Sequence, residues 1–388
     1  MRVAEYLFQR LREHEVEHTF GIPGDFALPL FAAQEASGIP CVVLTHEPSV
    51  GYAADVYARL RGLGVAMVTY GAGALNMVNA IAMAYAEESP VLVITGAPEL
   101  RTRRPDVLFH HRVKSYETQL RVYQEITEAT AVLDDPRTAA WEIDRVLHAI
   151  RTHSRPGYLE VPRDMVNAEL DPFGPVFVPP EPDRSGLEEA LSEIVVRINR
   201  ARSVVVFAGQ EIERFGLMEQ LTRLVERLNL PVATSLIGKT VIPENHPNFI
   251  GNYMGRISDP HVREMVEGAD CILALGIHFS DMDTGGFSAH IVPSRVIQAT
   301  SGWIRVSHHV YPGLSLTDLV EGLLARSDLR PRPPLTLPAG DPVAVPAGPE
   351  LTMDAIFAEL NAFLQPHHLV VADVGDTLFG AGELRARW

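Results

Sequence analysis

Successive doubly wound α/β domains on parallel sheets are the fold class that this sequence predicts. Three observations carry it. Apolar runs such as Val91-Leu92-Val93-Ile94 are continuous rather than alternating, as expected of strands buried on both faces of a parallel sheet. Such runs alternate repeatedly with segments of helical period. Gly- and Pro-containing turns mark the joins.

The elements follow in order. Val3, Leu7 and Leu11 share one face and predict a helix over Val3 to Glu13. A short strand at Thr19-Phe20 ends in the Gly21-Ile22-Pro23-Gly24 turn, with Asp25 at the start of a helix. A strand at Cys41 to Leu44 leads to a helix from Pro48, a residue suited to the first helical position. Val65 to Val68 is a strand, and Leu75 to Ala86 reads as one long helix after a Gly turn. After the Val91 strand the domain closes near Tyr158 to Pro162. Prolines 172, 175, 179, 180 and 182 mark a linker. A second alternating domain has strands at Ser203 to Ala208, Pro231 to Thr234 and Cys271 to Leu275, with an amphipathic helix over Leu217 to Leu228. A second Pro-rich linker spans roughly 331–349. A helix at Met353 to Phe363, a strand at Leu369 to Asp373 and a Gly turn follow. The expected division is therefore 1–170, linker 171–185, 186–330, linker 331–349, and 350–388 as the start of a third domain. One strand and one or two helices cannot enclose a core alone.

Composition narrows the function. With 388 residues, 46% hydrophobic and 21% charged, the chain has material for more than one ordinary core. A formal charge of −16 repels phosphate backbones and anionic membranes, so neither nucleic acid nor membrane is an expected partner. No apolar run reaches membrane-spanning length. Cys41 and Cys271, each in a strand-like run, read as buried free thiols of a reducing compartment, and the expected location is the cytoplasm.

Several segments are written for chemistry. His110 and His111 stand together in Val107-Leu108-Phe109-His110-His111. Asp25 follows the Gly-Ile-Pro-Gly turn, and Glu47 lies in His46-Glu47-Pro48. Two acids and an imidazole pair on loops of one α/β domain form a proton-handling set. Each has a plainer reading: Asp25 as a helix cap, Glu47 as a first-turn acid, the histidines as ordinary surface or core residues. Thr69-Tyr70-Gly71-Ala72-Gly73-Ala74-Leu75-Asn76 joins a strand to a helix. It is only a weak dinucleotide fingerprint, because a third glycine and a ribose-binding acid are missing. Ser235 to Lys239, Val241 to Glu244 and His246 to Gly251 read as a loop after a strand, with a remnant nucleotide site as the alternative.

Together these phrases resemble the thiamine-diphosphate-dependent 2-oxo acid decarboxylases, most closely the pyruvate, indolepyruvate and phenylpyruvate branch. The matching phrases are Phe20 to Pro29, Thr45 to Asp55, Thr69 to Asn76, Leu108 to His111, Ser154 to Arg163 and Gly238 to Tyr253, so the resemblance runs nearly end to end. It implies non-oxidative decarboxylation of a 2-oxo acid, aryl or branched, to an aldehyde and CO2. It implies thiamine diphosphate and Mg2+ as cofactors and a homodimer or homotetramer as the assembly. Glu47 then resembles the glutamate that hydrogen-bonds the aminopyrimidine ring and promotes loss of the thiazolium C2 proton. Asp25, His110 and His111 resemble the acid–base residues that protonate the decarboxylated product and release aldehyde. Gly71, Gly73 and Asn76 resemble a pyrimidine-side segment.

Val374-Gly375-Asp376-Thr377 resembles the first diphosphate-side loop, which would make Gly375, Asp376 and Thr377 cofactor contacts. The family's Gly-Asp-Gly segment and downstream Asn, which hold Mg2+, are not found before Trp388, so no metal ligand is assigned in this chain. A fragment of a longer enzyme, a split subunit and a non-catalytic relative all accommodate that departure. The His-His pair favours a decarboxylase over an acetolactate-synthase-like carboligase.

Overall fold

The computed structural model describes residues 1–104, 106–334, 351–382 and 384. The chain divides into two compact units, Met1–Glu181 and Pro182–Trp388.

The first unit runs α1 (Val3–Glu13), β1 (Thr19–Gly21), α2 (Leu28–Ser37), β2 (Cys41–Val43), α3 (Glu47–Arg61), β3 (Gly64–Val68), α4 (Ala72–Asn76), α5 (Val78–Ala86), β4 (Val91–Ala97), α6 (Thr118–Gln124), β5 (Ala129–Val132), α7 (Ala139–His153) and β6 (Gly157–Pro162). Its strands form one six-stranded sheet in the order β2-β1-β3-β4-β6-β5, parallel throughout. Every residue of β3 and β4 is buried, which explains their unbroken apolar runs. Alternate residues serve opposite faces. Val65 and Met67 pack with Leu7, Leu11, Val146 and Ile150 of α1 and α7. Ala66 and Val68 pack with Val50, Ala54 and Ile81 of α3 and α5. Helices therefore cover both faces.

The strand order fixes where chemistry can sit. From β1 the chain steps outward to β2, then returns past β1 to β3. The loops leaving the carboxyl ends of β1 and β3 thus diverge to opposite faces and open a crevice, the usual ligand position in an open parallel sheet.

The second unit runs α8 (Arg184–Arg200), β7 (Val204–Ala208), α9 (Glu211–Arg214), α10 (Met218–Leu228), β8 (Val232–Thr234), β9 (Phe249–Asn252), α11 (Pro260–Gly268), β10 (Cys271–Leu275), β11 (Val296–Ala299), β12 (Trp303–Val306), β13 (His309–Pro312), α12 (Leu316–Ala325), α13 (Met353–Phe363) and α14 (Asp376–Gly382). Its seven-stranded sheet has the order β13-β12-β11-β10-β7-β8-β9. Here the sheet departs from the all-parallel expectation: β12 and β13 pair antiparallel at one edge. Short connections after β11 and β12 permit hairpins where a parallel return would need a crossover.

Four local expectations change. Asp25 does not cap a helix, because α2 begins at Leu28 with Ala27 as its N-cap. The single helix over Leu75 to Ala86 is interrupted at Met77, between α4 and α5. The Tyr123 hydroxyl donates to the Ala74 carbonyl at 2.7 Å, occupying the acceptor that the next helical N–H would use. Leu369 to Asp373 forms no strand. Leu369 and Val371 are 91% and 96% exposed, and no strand among the described residues lies beside them to complete a ladder. Cys41, on the edge strand β2, is half-buried, whereas Cys271 is fully buried. Residues 335–349 of the Pro-rich linker lie outside the described residues. No helix among the described residues is long and apolar enough to cross a membrane.

Candidate active site

The crevice of the first sheet collects the proton-handling residues singled out in the sequence. Asp25 leaves β1, Glu47 opens α3 just after β2, Thr69 to Gly73 leave β3, and the two histidines lie in the long loop after β4.

Asp25 Oδ2 lies 2.5 Å from His110 Nε2, a close hydrogen-bonded pair. Phe26 stacks on the His110 ring with centroids 5.0 Å apart and planes 26° apart, so one face of the imidazole is held. His111 meets His110 edge-on at 4.7 Å. One carboxylate oxygen of Asp25 and one ring nitrogen from each histidine all fall within 4.8 Å of one another. The His110 and Asp25 side chains remain 60% and 45% exposed, so reactants can reach them.

The histidine loop is anchored by its apolar and backbone groups. Phe109 packs with Phe26, Tyr70 and Ala97, which turns its neighbours His110 and His111 outward. The Tyr70 hydroxyl donates to the Tyr116 carbonyl at 3.1 Å, and the Tyr116 hydroxyl donates to the Val107 carbonyl at 3.2 Å. His111 itself adopts φ +66°, a left-handed conformation unusual for a side chain of its size. Gly71 explains how that backbone fits. At Gly71, φ is +70°, and a Cβ there would stand 2.2 Å from the His111 carbonyl oxygen. The glycine is required both by its own dihedral and by the histidine loop lying against it.

Glu47 occupies the first turn of α3, where a carboxylate suits the helix dipole. Its Oε2 accepts from Asn76 Nδ2 at 2.7 Å. Its Oε1 faces Gly73, whose absent Cβ would lie 3.6 Å from it, and has no hydrogen-bond partner among the described residues. The interruption after Asn76 and this contact both depend on how α4 ends.

The sequence did not single out Thr69 on its own, yet it joins the two acids. Its hydroxyl donates to Asp25 Oδ1 at 3.4 Å, and its Cγ2 lies 3.1 Å from the position a Gly73 Cβ would take. Asp25, Thr69, Gly73 and Glu47 therefore line one continuous surface. Thr69 precedes a Gly-rich turn at a strand end, and that position is the only sequence signal that could have marked it.

Gly375, Asp376 and Thr377 are exposed in the second unit, at the start of α14. Lys239, in the loop read as structural, forms an ion pair with buried Glu244 and donates to the Leu384 carbonyl at 2.7 Å. That engagement agrees with the structural reading of the loop and leaves its ammonium committed to protein partners.

Comparison with known proteins bears on these features. The profile described as thiamine pyrophosphate enzyme, N-terminal TPP binding domain, matches residues 1–125. The profile for the central domain of the same enzymes matches residues 191–321. Indole-3-pyruvate decarboxylase of Azospirillum brasilense is 40% identical over 99% of this chain and 72% of its own length. Pyruvate decarboxylase of Hanseniaspora uvarum is 31% identical over 99% of the chain and 70% of its own. Alpha-keto-acid decarboxylase of Mycobacterium leprae is 34% identical over 99% and 68% respectively.

Proposed function

The chain belongs to the thiamine pyrophosphate enzyme family, and from that premise we propose that it serves non-oxidative decarboxylation of a 2-oxo acid to an aldehyde and CO2. The observation that carries the reading is the pairing of two differently held acids in one crevice: Glu47 fixed by Asn76, and Asp25 bonded to His110.

The residues fit the pyrimidine end of thiamine diphosphate. Glu47 offers an oxygen without a partner among the described residues, and Gly73 leaves the space beside that oxygen unfilled. Glu47, Gly71, Gly73 and Asn76 would hold the ring, and Gly375, Asp376 and Thr377 would contact the diphosphate, with no Mg2+ ligand assigned among them. When bound, the cofactor supplies the nucleophilic carbon and the electron sink that loss of CO2 from a 2-oxo acid requires.

The side chains of this chain have separable tasks. Asn76 can donate to Glu47 but cannot exchange a proton with it, so it fixes the carboxylate as an acceptor. Asp25 Oδ2 and His110 Nε2 are hydrogen-bonded, and an imidazole so placed can relay a proton to a reacting atom. His111, edge-on to His110, extends the same set toward solvent. With the cofactor bound, these three would supply the proton that the product carbon takes up and accept the one that its hydroxyl gives up.

An aryl or branched side chain on the substrate is supported by the 40% identity to a protein named for indole-3-pyruvate. Residues 350–388 form part of the diphosphate-side domain in this reading, and the active assembly is a homodimer or homotetramer. Two unpaired thiols suit the cytoplasm.

The test is aldehyde formation from phenylpyruvate, indolepyruvate and pyruvate with thiamine diphosphate and Mg2+, comparing the natural chain with Glu47→Gln. Loss of aldehyde with retained folding is expected. Undiminished aldehyde in the variant would remove Glu47 from the chemistry, and an acetohydroxy acid as main product would point to a carboligase.

A further inference from the structure

A fully buried polar chain lies behind the Gly71 turn. It begins at Glu160 on β6, which is 1% exposed and paired with Arg103 at 3.0 Å. The Tyr158 hydroxyl donates to Glu160 Oε2 at 3.1 Å. Gln119, at the start of α6 and 2% exposed, donates from Nε2 to the Tyr158 hydroxyl at 2.6 Å and to Thr95 Oγ1 at 3.2 Å. Thr95 Oγ1 in turn lies 2.7 Å from the Tyr158 hydroxyl. Finally Gln119 Oε1 accepts the Gly71 N–H at 2.7 Å.

The donors and acceptors account for one another in a single direction. Both Nε2 protons of Gln119 are used, on Thr95 and Tyr158. The Tyr158 proton goes to Glu160, and the remaining Glu160 oxygen takes Arg103. The amide oxygen of Gln119 therefore has to face Gly71, since turning it over would set its NH2 against the Gly71 N–H and its oxygen against a Tyr158 hydroxyl whose proton is already on Glu160. A buried network satisfied in only one arrangement holds its members rigidly. Of its members only the Gly71 N–H belongs to the crevice. What it fixes is a backbone N–H on a residue whose missing Cβ space is filled by the His111 carbonyl, 2.2 Å from where that Cβ would stand. The turn and the histidine loop are thus one mechanical piece, and α6 at the loop's far end closes it.

We infer that Gln119 is a positioning residue for the acid–base set: through the Gly71 N–H it sets where His111, and with it His110, stands relative to Asp25. The inference rests on the reading of these residues as proton carriers, but its placement claim does not.

The experiment uses the full chain with Gln119→Leu and, as the milder change, Tyr158→Phe, which keeps the ring stacked on Tyr123 at 4.3 Å and removes only the relaying hydroxyl. Two readouts are taken together. The imidazole resonances of His110 and His111 should shift in both variants while those of the remote His261 do not. kcat for the 2-oxo acid should fall about tenfold to a hundredfold in Gln119→Leu, and less in Tyr158→Phe, with KM for the 2-oxo acid within about twofold. The pH profile of kcat should move in the variants, which a general loss of folded protein would not cause. Unmoved histidine resonances in a folded variant overturn the inference. Should Gln119→Leu not fold, Tyr158→Phe decides by the same criteria. Moved resonances in a natural chain that makes no aldehyde uphold the placement and count against the decarboxylase reading instead.

Discussion

Gly71→Ala should destabilise the first unit and push the His111 backbone out of place. Two costs combine. At φ +70° and ψ −102° the residue occupies backbone space that side chains other than glycine rarely adopt, which costs on the order of 1–3 kcal/mol. The added Cβ would also stand 2.2 Å from the His111 carbonyl oxygen and 2.6 Å from the His111 Cβ, where contacts under 3.0 Å essentially never occur. The histidine loop must retreat by about an ångström, a repacking cost of roughly 1–3 kcal/mol. The total, roughly 2–6 kcal/mol, should lower Tm by on the order of 4–24 °C for a unit of this size. Gly62→Ala, at a positive φ but in the left-handed helical region with ψ −18°, is the control for a backbone cost alone. Gly62 has φ +89° but nothing within 4 Å of its Cβ position, so it carries the backbone cost without the contact. Thermal unfolding by circular dichroism ranks the pair, and histidine resonances report the loop. Equal Tm losses in the two variants, with His111 unmoved, would refute the claim that the glycine exists to admit the histidine loop.

Other outcomes test separate contacts. Asn76→Ala removes a hydrogen bond to a carboxylate, worth roughly 1.5–3 kcal/mol, and should slow aldehyde formation about tenfold to a hundredfold. Asn76→Asp, which sets a second carboxylate against Glu47, should slow it more, and the reverse ranking would deny Asn76 its orienting role. Burial raises the pKa of Glu160 above its ordinary 4.5, against the opposing pull of Arg103. The folded chain then keeps that proton to higher pH than the unfolded chain does, so the associated stability is full below pH 4.5 and is lost as pH rises through the folded value. Glu160→Gln, always neutral, should gain on the natural protein in urea midpoint across that window, and a constant difference from acid to neutral pH would contradict it. Burial pushes the Cys271 thiol up to about 11, while half-buried Cys41 is raised as well. A thiol reagent at neutral pH should reach Cys41 slowly and Cys271 only after unfolding, and fast labelling of Cys271 in the native state would count against the core as described.

Much of the first sheet was legible because period and composition agreed there. Continuous runs at Val65 and Val91 meant burial on both faces, and both strands are buried throughout. Helix α1 was legible because Val3, Leu7 and Leu11 repeat at helical spacing, and all are buried. Two failures share one cause: long-range partners absent from local sequence. The interruption at Met77 follows from a tyrosine 49 residues away bonding Ala74. The missing strand at Leu369 to Asp373 has good local propensity, and propensity without a neighbouring strand does not make a ladder. The residues with distinctive phrases, Asp25, Glu47, His110 and His111, all lie at the crevice of the first sheet. Gln119 sits in Tyr116-Glu117-Thr118-Gln119-Leu120, where nothing marks it, because its role is defined by groups on β4, β6 and the Gly71 turn.

The contrast between the two acids gives the crevice its chemical logic. An acid whose neighbour is an amide cannot trade protons with it. Glu47, bonded to Asn76 through Oε2, is oriented by a group that cannot trade, which leaves Oε1 as the oxygen through which a bound ring would meet it. An acid whose neighbour is an imidazole can trade. Asp25, bonded to His110 and open to solvent, is in the proposed reading part of the set that carries protons to and from the substrate. Thr69 separates the two: its hydroxyl is spent on Asp25, and its methyl faces the Gly73 side toward Glu47. In the proposed reading this methyl, rather than a second polar group, fills the space between the two acids. Thr69→Ser, which deletes that methyl and keeps the hydroxyl bond, should leave folding intact and allow water between the acids. The expected sign is a changed pH profile of aldehyde formation with little change in Tm. A profile superimposable on the natural one would mean that the two acids are separated by distance alone.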